Sequence, residues 1–220
     1  MRTELRYALI VFDWDGTLID SAATIVECIQ SAARDLDLPV PEQERASHVI
    51  GLGLRDALHH AVPSLMPERY LDFAERYGRH FLAREDAMQP FPGVHELLDR
   101  LSQRGHRLAI ATGKSRRGLD RALHASGLAG QFAASRCADE THSKPDPAML
   151  IELMRELASV AAESLMIGDT THDLEMARNA GVDALAVTYG AHPAASLQAL
   201  APQRCVASVG ELGRWLDANA

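Results

Sequence analysis

The amino-acid sequence predicts an α/β fold, in which a doubly wound parallel sheet carries a separate block of helices. From residue 94 onward, strand and helix patterns alternate as they do in repeated βα units. An apolar run at residues 7–12 predicts one further buried strand near the start of the chain. Residues 21–87 contain helix patterns and no convincing strand. We therefore expect a sheet-forming core with a helical insertion.

The elements follow in chain order. After the first strand, helix patterns cover residues 21–36, 42–50, 54–61 and 67–84, with Ser21 as a candidate N-cap. We then predict helices at 94–102, 115–125, 147–157, 173–179 and 209–216, alternating with strands at 107–111, 132–134, 164–167, 184–188 and 205–206. Residues 1–18 and 88–220 are expected to form the sheet core, and residues 19–87 a helical cap.

Composition is ordinary for a globular protein, with 47% hydrophobic and 24% charged residues among 220. The net charge of −8 gives no support to nucleic-acid binding. No apolar stretch approaches the ~20 residues that a bilayer span requires, and the three cysteines lack zinc-site spacing. We expect a cytoplasmic monomer or homodimer without membrane or nucleic-acid partners.

Two aspartates follow the first strand, in the segment Asp13-Trp14-Asp15-Gly16. If the backbone stays extended, both side chains project to the same side of the strand. Two neighbouring carboxylates repel each other, so such a site needs a cation, a proton or a hydrogen-bond donor. Oxygen ligands suit Mg²⁺. The competing interpretation of this segment alone is a polar turn.

Further polar segments lie where ligands gather in such folds, at the carboxyl ends of parallel strands. Residues 112–115 read Thr-Gly-Lys-Ser, at a strand-to-helix junction that could bind an anion or simply cap the helix. Residues 168–173 read Gly-Asp-Thr-Thr-His-Asp after a later strand. Lys144 stands before a helix that starts at a proline, and Lys114 competes with it for the role of local cation.

Taken in the order in which they occur along the chain, the four segments resemble the motifs of the haloacid dehalogenase superfamily. Residues 13–18 resemble DxDGT[LV], residues 144–147 resemble KPxP and residues 168–173 resemble GDxxxD, while Thr112 matches the second motif. The resemblance covers residues 11–173 and implies a Rossmann-like core with an inserted C1-type helical cap. Gly113 departs from the Asn found in many such phosphatases, which removes a side-chain contact and leaves the amide.

The resemblance implies a Mg²⁺-dependent phosphatase, with phosphoglycolate or a sugar phosphate as the type of substrate. The site residues that it implies are Asp13 as nucleophile, Asp15 as general acid and base, Lys144 as charge partner, Thr17, Thr112, Gly113 and Lys144 as phosphate-binding groups, Asp13, Asp15 through its backbone carbonyl and Asp169 as Mg²⁺ ligands, and Asp173 as a group beyond the direct ligands.

Several points stay open at this stage. A β-phosphoglucomutase-like phosphomutase and a catalytically idle protein that binds a phosphorylated metabolite are the alternative functions. The cap residues Arg55, His59 and His60 could face the site, and Arg55 is the candidate contact for an anionic substrate. For His172 we expect a solvent-facing side chain, because an oxygen-lined Mg²⁺ site has no need of imidazole.

Overall fold

The computed structural model describes residues 5–220, so the first four residues of the predicted core lie outside the described part of the chain. Six parallel strands form one sheet: β1 Leu9–Phe12, β2 Arg107–Thr112, β3 Ala134–Cys137, β4 Ser164–Gly168, β5 Asp183–Val187 and β6 Cys205–Val206. Their order is β3-β2-β1-β4-β5-β6. The predicted α/β fold with a doubly wound parallel sheet is confirmed.

The described chain has ten α-helices: α1 Ala22–Asp35, α2 Gln43–His48, α3 Leu54–Ala61, α4 Tyr70–Leu82, α5 Val94–Arg104, α6 Arg116–Ala125, α7 Ala148–Glu156, α8 Thr171–Ala180, α9 Ala194–Gln198 and α10 Val209–Asn219. Helix α9 was not predicted, because its five residues are too few to display a helical period. Strand β3 begins at the last residue of the predicted segment 132–134, so that strand prediction was displaced along the chain.

Alternate residues of β1 pack on opposite faces of the sheet, as the two-residue period of a strand requires. Ile10 and Phe12 join an apolar cluster with α5 and α10, whereas Leu9 and Val11 join another with α7 and α8. All four side chains are fully buried. Helices on both faces thus explain why this strand is a continuous apolar run.

Helices α1–α4 have an apolar cluster of their own, built around side chains such as Ile29, Leu58 and Phe73. The two chain segments that connect this block to the sheet run side by side. Asp20 N donates to Gln89 O at 3.0 Å, and Phe91 N donates to Leu18 O at 3.0 Å. This double connection is where the helical block joins the core. Within residues 5–220, no helix has the length and hydropathy needed to cross a membrane.

Candidate active site

The sheet brings three of the polar segments to one edge. Asp13 follows β1, Thr112 ends β2 and Asp169 follows β4. Strand β1 has β2 on one side and β4 on the other. The chain therefore builds β2 and β3 on one side of β1, and then β4, β5 and β6 on the other. Such a switch point opens a crevice at the carboxyl ends of the strands. The fold therefore assembles the predicted site from segments far apart in sequence.

Lys144 is the centre of the buried charge in this crevice. Its Nζ lies 2.6 Å from Asp13 Oδ1 and 2.7 Å from Asp173 Oδ1, and none of these side chains is more than 1% exposed. Asp169 belongs to the same cluster, since carboxylate oxygens of Asp13, Asp169 and Asp173 lie within 4.8 Å of one another. One ammonium group thus faces three carboxylates.

Asp169 is held by two donors from outside its own strand. Thr17 Oγ1 donates to Asp169 Oδ1 at 2.8 Å, and the backbone N–H of Ala191 donates to Oδ2 at 2.7 Å. Gly16 makes this approach feasible, because it has a φ of +78° and a Cβ there would overlap the Asp169 carboxylate. Thr17, predicted to bind phosphate, therefore also fixes Asp169.

Asp173 is fixed by the start of α8. Its Oδ2 accepts hydrogen bonds from Thr170 N at 3.1 Å and Thr170 Oγ1 at 2.7 Å, and the two residues form a capping box. With its other oxygen on Lys144, the Asp173 carboxylate has partners on both sides. That Asp173 lies beyond the direct metal ligands stays a prediction.

The electrostatics of the cluster follow from burial. Burial raises the pKa of Asp13 well above its usual range; Lys144 opposes this rise, and Asp173 and Asp169 add to it. Burial and the Asp173 charge raise the pKa of Asp169 to about 7. Burial alone would lower the pKa of Lys144, but Asp13 and Asp173 outweigh it, so that pKa is raised. The cluster is short of positive charge.

Asp15 has surroundings of its own, separate from the buried cluster. Ser21 Oγ donates to Asp15 Oδ1 at 2.8 Å, and Lys114 Nζ lies 3.1 Å from Asp15 Oδ2. The expectation that both aspartates point the same way assumed an extended backbone. The chain instead turns after Asp13, so the two carboxylates contact different cations.

Ser21 precedes α1 as predicted, but its side chain makes no capping hydrogen bond. Its hydroxyl is used on Asp15 instead, and sequence reasoning missed this role. A serine at the start of a helix predicts a capping role. The only sequence signal for its contact with Asp15 was the separation of six residues between them.

Gly113 lies directly against the helical block. A Cβ at this position would be 2.6 Å from Gly51 O and would overlap Leu52 O. The carbonyl groups of the loop between α2 and α3 thus fill the space that a side chain would need. This packing gives a physical reason for glycine at position 113. Beside it, Lys114 N donates to Thr112 Oγ1 at 3.2 Å, which leaves the threonine O–H free to act as a donor.

Three histidines join the helical block to the core. Nε2 of His172 lies 2.7 Å from His48 O, and Nε2 of His192 lies 3.1 Å from the same carbonyl. Thr171 N donates to His192 Nδ1 at 3.0 Å, so both ring nitrogens of His192 have partners. The expectation of a solvent-facing His172 is wrong: its side chain is buried because His48 lies over it. Burial lowers the pKa of His172, which favours the neutral ring as a donor.

A cavity of about 190 Å³ lies between the helical block and the core, next to Asp15. Gly113 and Lys114 line it on the core side, and helices α1, α3 and α4 line it on the other. The side chains of the helical block that face this cavity can be named, while the residues that contact substrate stay a prediction. Arg55, His59 and His60 are exposed and do not line this cavity, whereas their neighbours on α3 do: Leu54, Ala57 and Leu58.

The buried cluster has the donor chemistry for Mg²⁺. It offers carboxylate oxygens, the ligand type that this ion prefers. An added divalent cation would offset the three carboxylates that one lysine balances only in part. The residues present therefore fit the predicted ion.

Comparisons with known proteins agree with this geometry. A family model described as haloacid dehalogenase-like hydrolase matches residues 10–187. The chain is 38% identical over 210 residues to a protein named "Probable phosphatase IndB" from Dickeya dadantii (strain 3937). The aligned region covers 93% of this chain and 91% of that relative. It is 33% identical over 188 residues to a phosphoglycolate phosphatase from Agrobacterium fabrum (strain C58 / ATCC 33970), with coverages of 83% and 81%.

A solved structure supports the fold in the same way. A hydrolase from Pseudomonas syringae is similar with a TM-score of 0.87 and 23% identity, over 95% of this chain and 97% of that one. The similarity extends through both the sheet and the helical block, since it covers nearly the whole chain.

Proposed function

Because the chain belongs to the haloacid dehalogenase-like hydrolase family, we propose that it is a Mg²⁺-dependent phosphatase that hydrolyses a small phosphorylated metabolite through an aspartyl-phosphate. Asp13 attacks phosphorus and carries the phosphoryl group, which splits one displacement into two easier steps. Asp15 protonates the leaving oxygen and later takes a proton from the attacking water.

The single observation that carries this proposal is the asymmetry of the Asp13 carboxylate. Its Oδ1 is held by Lys144 at 2.6 Å, whereas its Oδ2 is buried without a hydrogen-bond partner among the described residues. A nucleophile needs one oxygen fixed for orientation and the other free to form a bond. Asp13 meets both conditions.

The surroundings of Asp15 suit proton transfer to a leaving group. Asp15 lines the cavity, while Asp13 belongs to the buried cluster. Ser21 and Lys114 hold its two oxygens, so the carboxyl group is oriented before substrate arrives. This separation supports two different roles for the two aspartates.

The other predicted site residues complete the proposal. The Thr112 hydroxyl and the Gly113 backbone N–H donate hydrogen bonds to the phosphoryl oxygens, while Thr17 keeps Asp169 in place and Lys144 balances charge. Asp13, Asp169 and the backbone carbonyl of Asp15 would hold Mg²⁺, with Asp173 outside this set. When bound, the ion supplies charge neutralisation on the transferring group.

We also infer that residues 19–87 act as a cap on a core formed by residues 1–18 and 88–220. The separate apolar cluster of α1–α4 and the paired connections at residues 18–20 and 89–91 support this division. A cap closing against Gly113 would exclude water from the reaction.

The experiment is phosphate release from a panel of phosphate esters, pyrophosphate and nucleotides, with Mg²⁺ or with EDTA. We expect release that requires Mg²⁺ and falls by at least about 10³-fold in Asp13→Asn. Asp72→Asn, which changes an exposed carboxylate on α4, is the matched control and should keep full activity.

The two alternatives give different results in this assay. A phosphomutase would transfer the phosphoryl group to a second sugar hydroxyl and would be activated by a sugar bisphosphate. An idle binding protein would release no phosphate from any ester, although phosphate analogues would still bind. Equal activity of Asp13→Asn and wild type would contradict the proposed nucleophile.

A further inference from the structure

The cavity beside Asp15 carries information about the substrate that the buried cluster does not. Its cap side consists mainly of aliphatic and aromatic side chains, among them Ile25, Ile29, Val49, Ile50, Leu58 and Phe81. If Asp15 protonates the leaving oxygen, the remainder of the leaving group has to lie among these side chains. The cavity walls then select its chemistry.

The cationic groups at the cavity already have acidic partners. Lys114 Nζ lies 3.1 Å from Asp15 Oδ2 and 4.5 Å from the centre of the Phe81 ring. Arg121 Nε lies 3.5 Å from Glu85 Oε1. A second anionic group on the substrate would have to compete with Glu85 for Arg121, and with Asp15 for Lys114 in every step in which Asp15 is ionised. A carboxylate on the leaving group is therefore disfavoured.

Hydroxyl-rich leaving groups find few partners at this position. Two hydroxyl side chains line the cavity: Tyr77 on α4, and Ser115, which is the N-cap of α6 and whose oxygen accepts from Gly118 N at 3.2 Å. A sugar buried here would replace only part of its hydrogen bonds to water, and each polar group left unpaired costs free energy. The lining thus disfavours sugar phosphates as well.

The size of the cavity limits the group that it accepts. Apolar cavities of roughly 150 Å³ lined by Leu, Ile and Phe bind benzene in other proteins. With about 190 Å³, this cavity accommodates one aromatic ring or a short branched alkyl chain. Larger leaving groups would have to displace the cap.

We propose that the substrate is a phosphate monoester of an apolar alcohol, with an aromatic or branched aliphatic leaving group that occupies this cavity. The inference rests on the proposed phosphatase function and adds the substrate class to it. It separates this chain from the phosphoglycolate phosphatases among its relatives, whose named substrate carries a carboxylate in the corresponding part of the molecule.

The test compares isobutyl phosphate with phosphoglycolate, because the two methyl groups of one replace the two carboxylate oxygens of the other. We expect kcat/KM to be at least about tenfold higher for isobutyl phosphate, and to rise about fourfold for each methylene from methyl to butyl phosphate. Benzyl phosphate should exceed glucose 6-phosphate in the same assay. A preference for phosphoglycolate, or equal rates along the alkyl series, would overturn the proposal while leaving the phosphatase intact.

A binding measurement distinguishes failure of the proposed phosphatase function from failure of the proposed substrate class. Benzylphosphonate and phosphonoacetate cannot be hydrolysed, and their Kd values are obtained by calorimetry with Mg²⁺ present. We expect benzylphosphonate to bind at least about tenfold more tightly. If it does so and no ester releases phosphate, the proposed hydrolysis fails and the apolar site stands. If phosphonoacetate binds more tightly, the apolar site fails.

A variant that fills the cavity tests whether the leaving group binds there. Ala57 is buried and lines the cavity, so Ala57→Leu should lower the ratio of kcat/KM for benzyl phosphate to that for methyl phosphate by at least about tenfold. Ala83→Leu makes the same change at an exposed residue after α4 and should leave the ratio as in wild type. Far-ultraviolet circular dichroism checks that both variants fold. An unchanged ratio in folded Ala57→Leu would place the leaving group elsewhere.

Discussion

The two sides of the proposed active site differ in chemical composition and in the role that we propose for each. On the core side, Asp13, Lys144, Asp169 and Asp173 are buried, charged and held by short hydrogen bonds. On the cap side, the cavity is lined mainly by aliphatic and aromatic side chains. Charged groups in fixed positions suit a chemical step that is the same for every ester. An apolar wall suits a choice between leaving groups, and a substitution in it leaves the charged groups in place.

The two lysines of the chain, Lys144 and Lys114, provide the strongest test of this difference. Lys144→Met should lower kcat by about 10²–10³-fold for every ester, because it removes the cation that fixes Asp13. It should also destabilise the metal-free protein by roughly 3–5 kcal/mol, since it leaves buried carboxylates without a partner. Steady-state kinetics and urea unfolding measure both effects.

Lys114→Met is the matched variant on the cavity side. Its ammonium is near the surface of the cavity and pairs with Asp15, so we expect a smaller loss of kcat, about tenfold. Equal losses in the two variants would contradict the distinction between the buried catalytic cluster and the cavity beside it.

A change at the boundary should affect KM. Gly113→Ala would place a Cβ against the carbonyl groups of Gly51 and Leu52, so it should hold the cap loop away from the core. We expect KM to rise about tenfold with little loss of core stability. Gly78→Ala is the control, because nothing lies within 4 Å of a Cβ there. An unchanged KM in Gly113→Ala would show that this contact has no part in substrate binding.

A smaller effect is expected from Ser21→Ala. The variant removes the hydrogen bond to Asp15 Oδ1 but leaves Lys114 on the other oxygen. We expect kcat to fall about fivefold with KM nearly constant, because the proton donor is less well oriented. Ser31→Ala, on the same helix α1, should have no effect. If both serine variants behave alike, the Ser21 contact is structural.

The smallest predicted change concerns pH and metal. The pKa of Asp169 is raised from 3.8 to about 7, so the folded protein binds more protons than the unfolded chain between these values. Stability of the metal-free protein should therefore decrease as pH rises from about 4 to about 7. Mg²⁺ competes with the protons, so it should raise Tm more at about pH 8 than at about pH 6.

Thermal unfolding at the two pH values, with Mg²⁺ or EDTA, tests this dependence. Asp169→Asn lacks the titrating group and should lose most of the pH-dependent part of the Mg²⁺ effect. The same Mg²⁺ stabilisation at both pH values in wild type would contradict the role of Asp169.

The sequence was sufficient for the fold because the signals were periodic or positional. A continuous apolar run predicted β1, and the strand-end rule placed Asp13, Thr112 and Asp169 at one edge. Contacts between distant segments left no such signal. The hydrogen bonds of Ala191 to Asp169 and of His172 to His48 join residues 22 and 124 positions apart. Backbone groups in particular carry no residue-type information.

Helical phase was the other limit. Arg55, His59 and His60 lie on the exposed side of α3, while Ala57 and Leu58 face the cavity. An error of one residue rotates a helix by about 100°, so the sequence pattern could not show which side chains of α3 face the core. The apolar residues that line the cavity look in sequence like any other helix core.

We propose that the core side performs the chemical step and that the cap side selects the leaving group. Rapid acid quench and mass spectrometry of wild type during a single turnover test this proposal most directly. Benzyl phosphate and methyl phosphate are compared with Mg²⁺ present. We expect both esters to add the mass of one phosphoryl group to the peptide containing Asp13, at different rates of formation but with one rate of breakdown, because the leaving group has then departed. A breakdown rate that depends on the ester, or a phosphoryl group on another residue, would contradict the proposal.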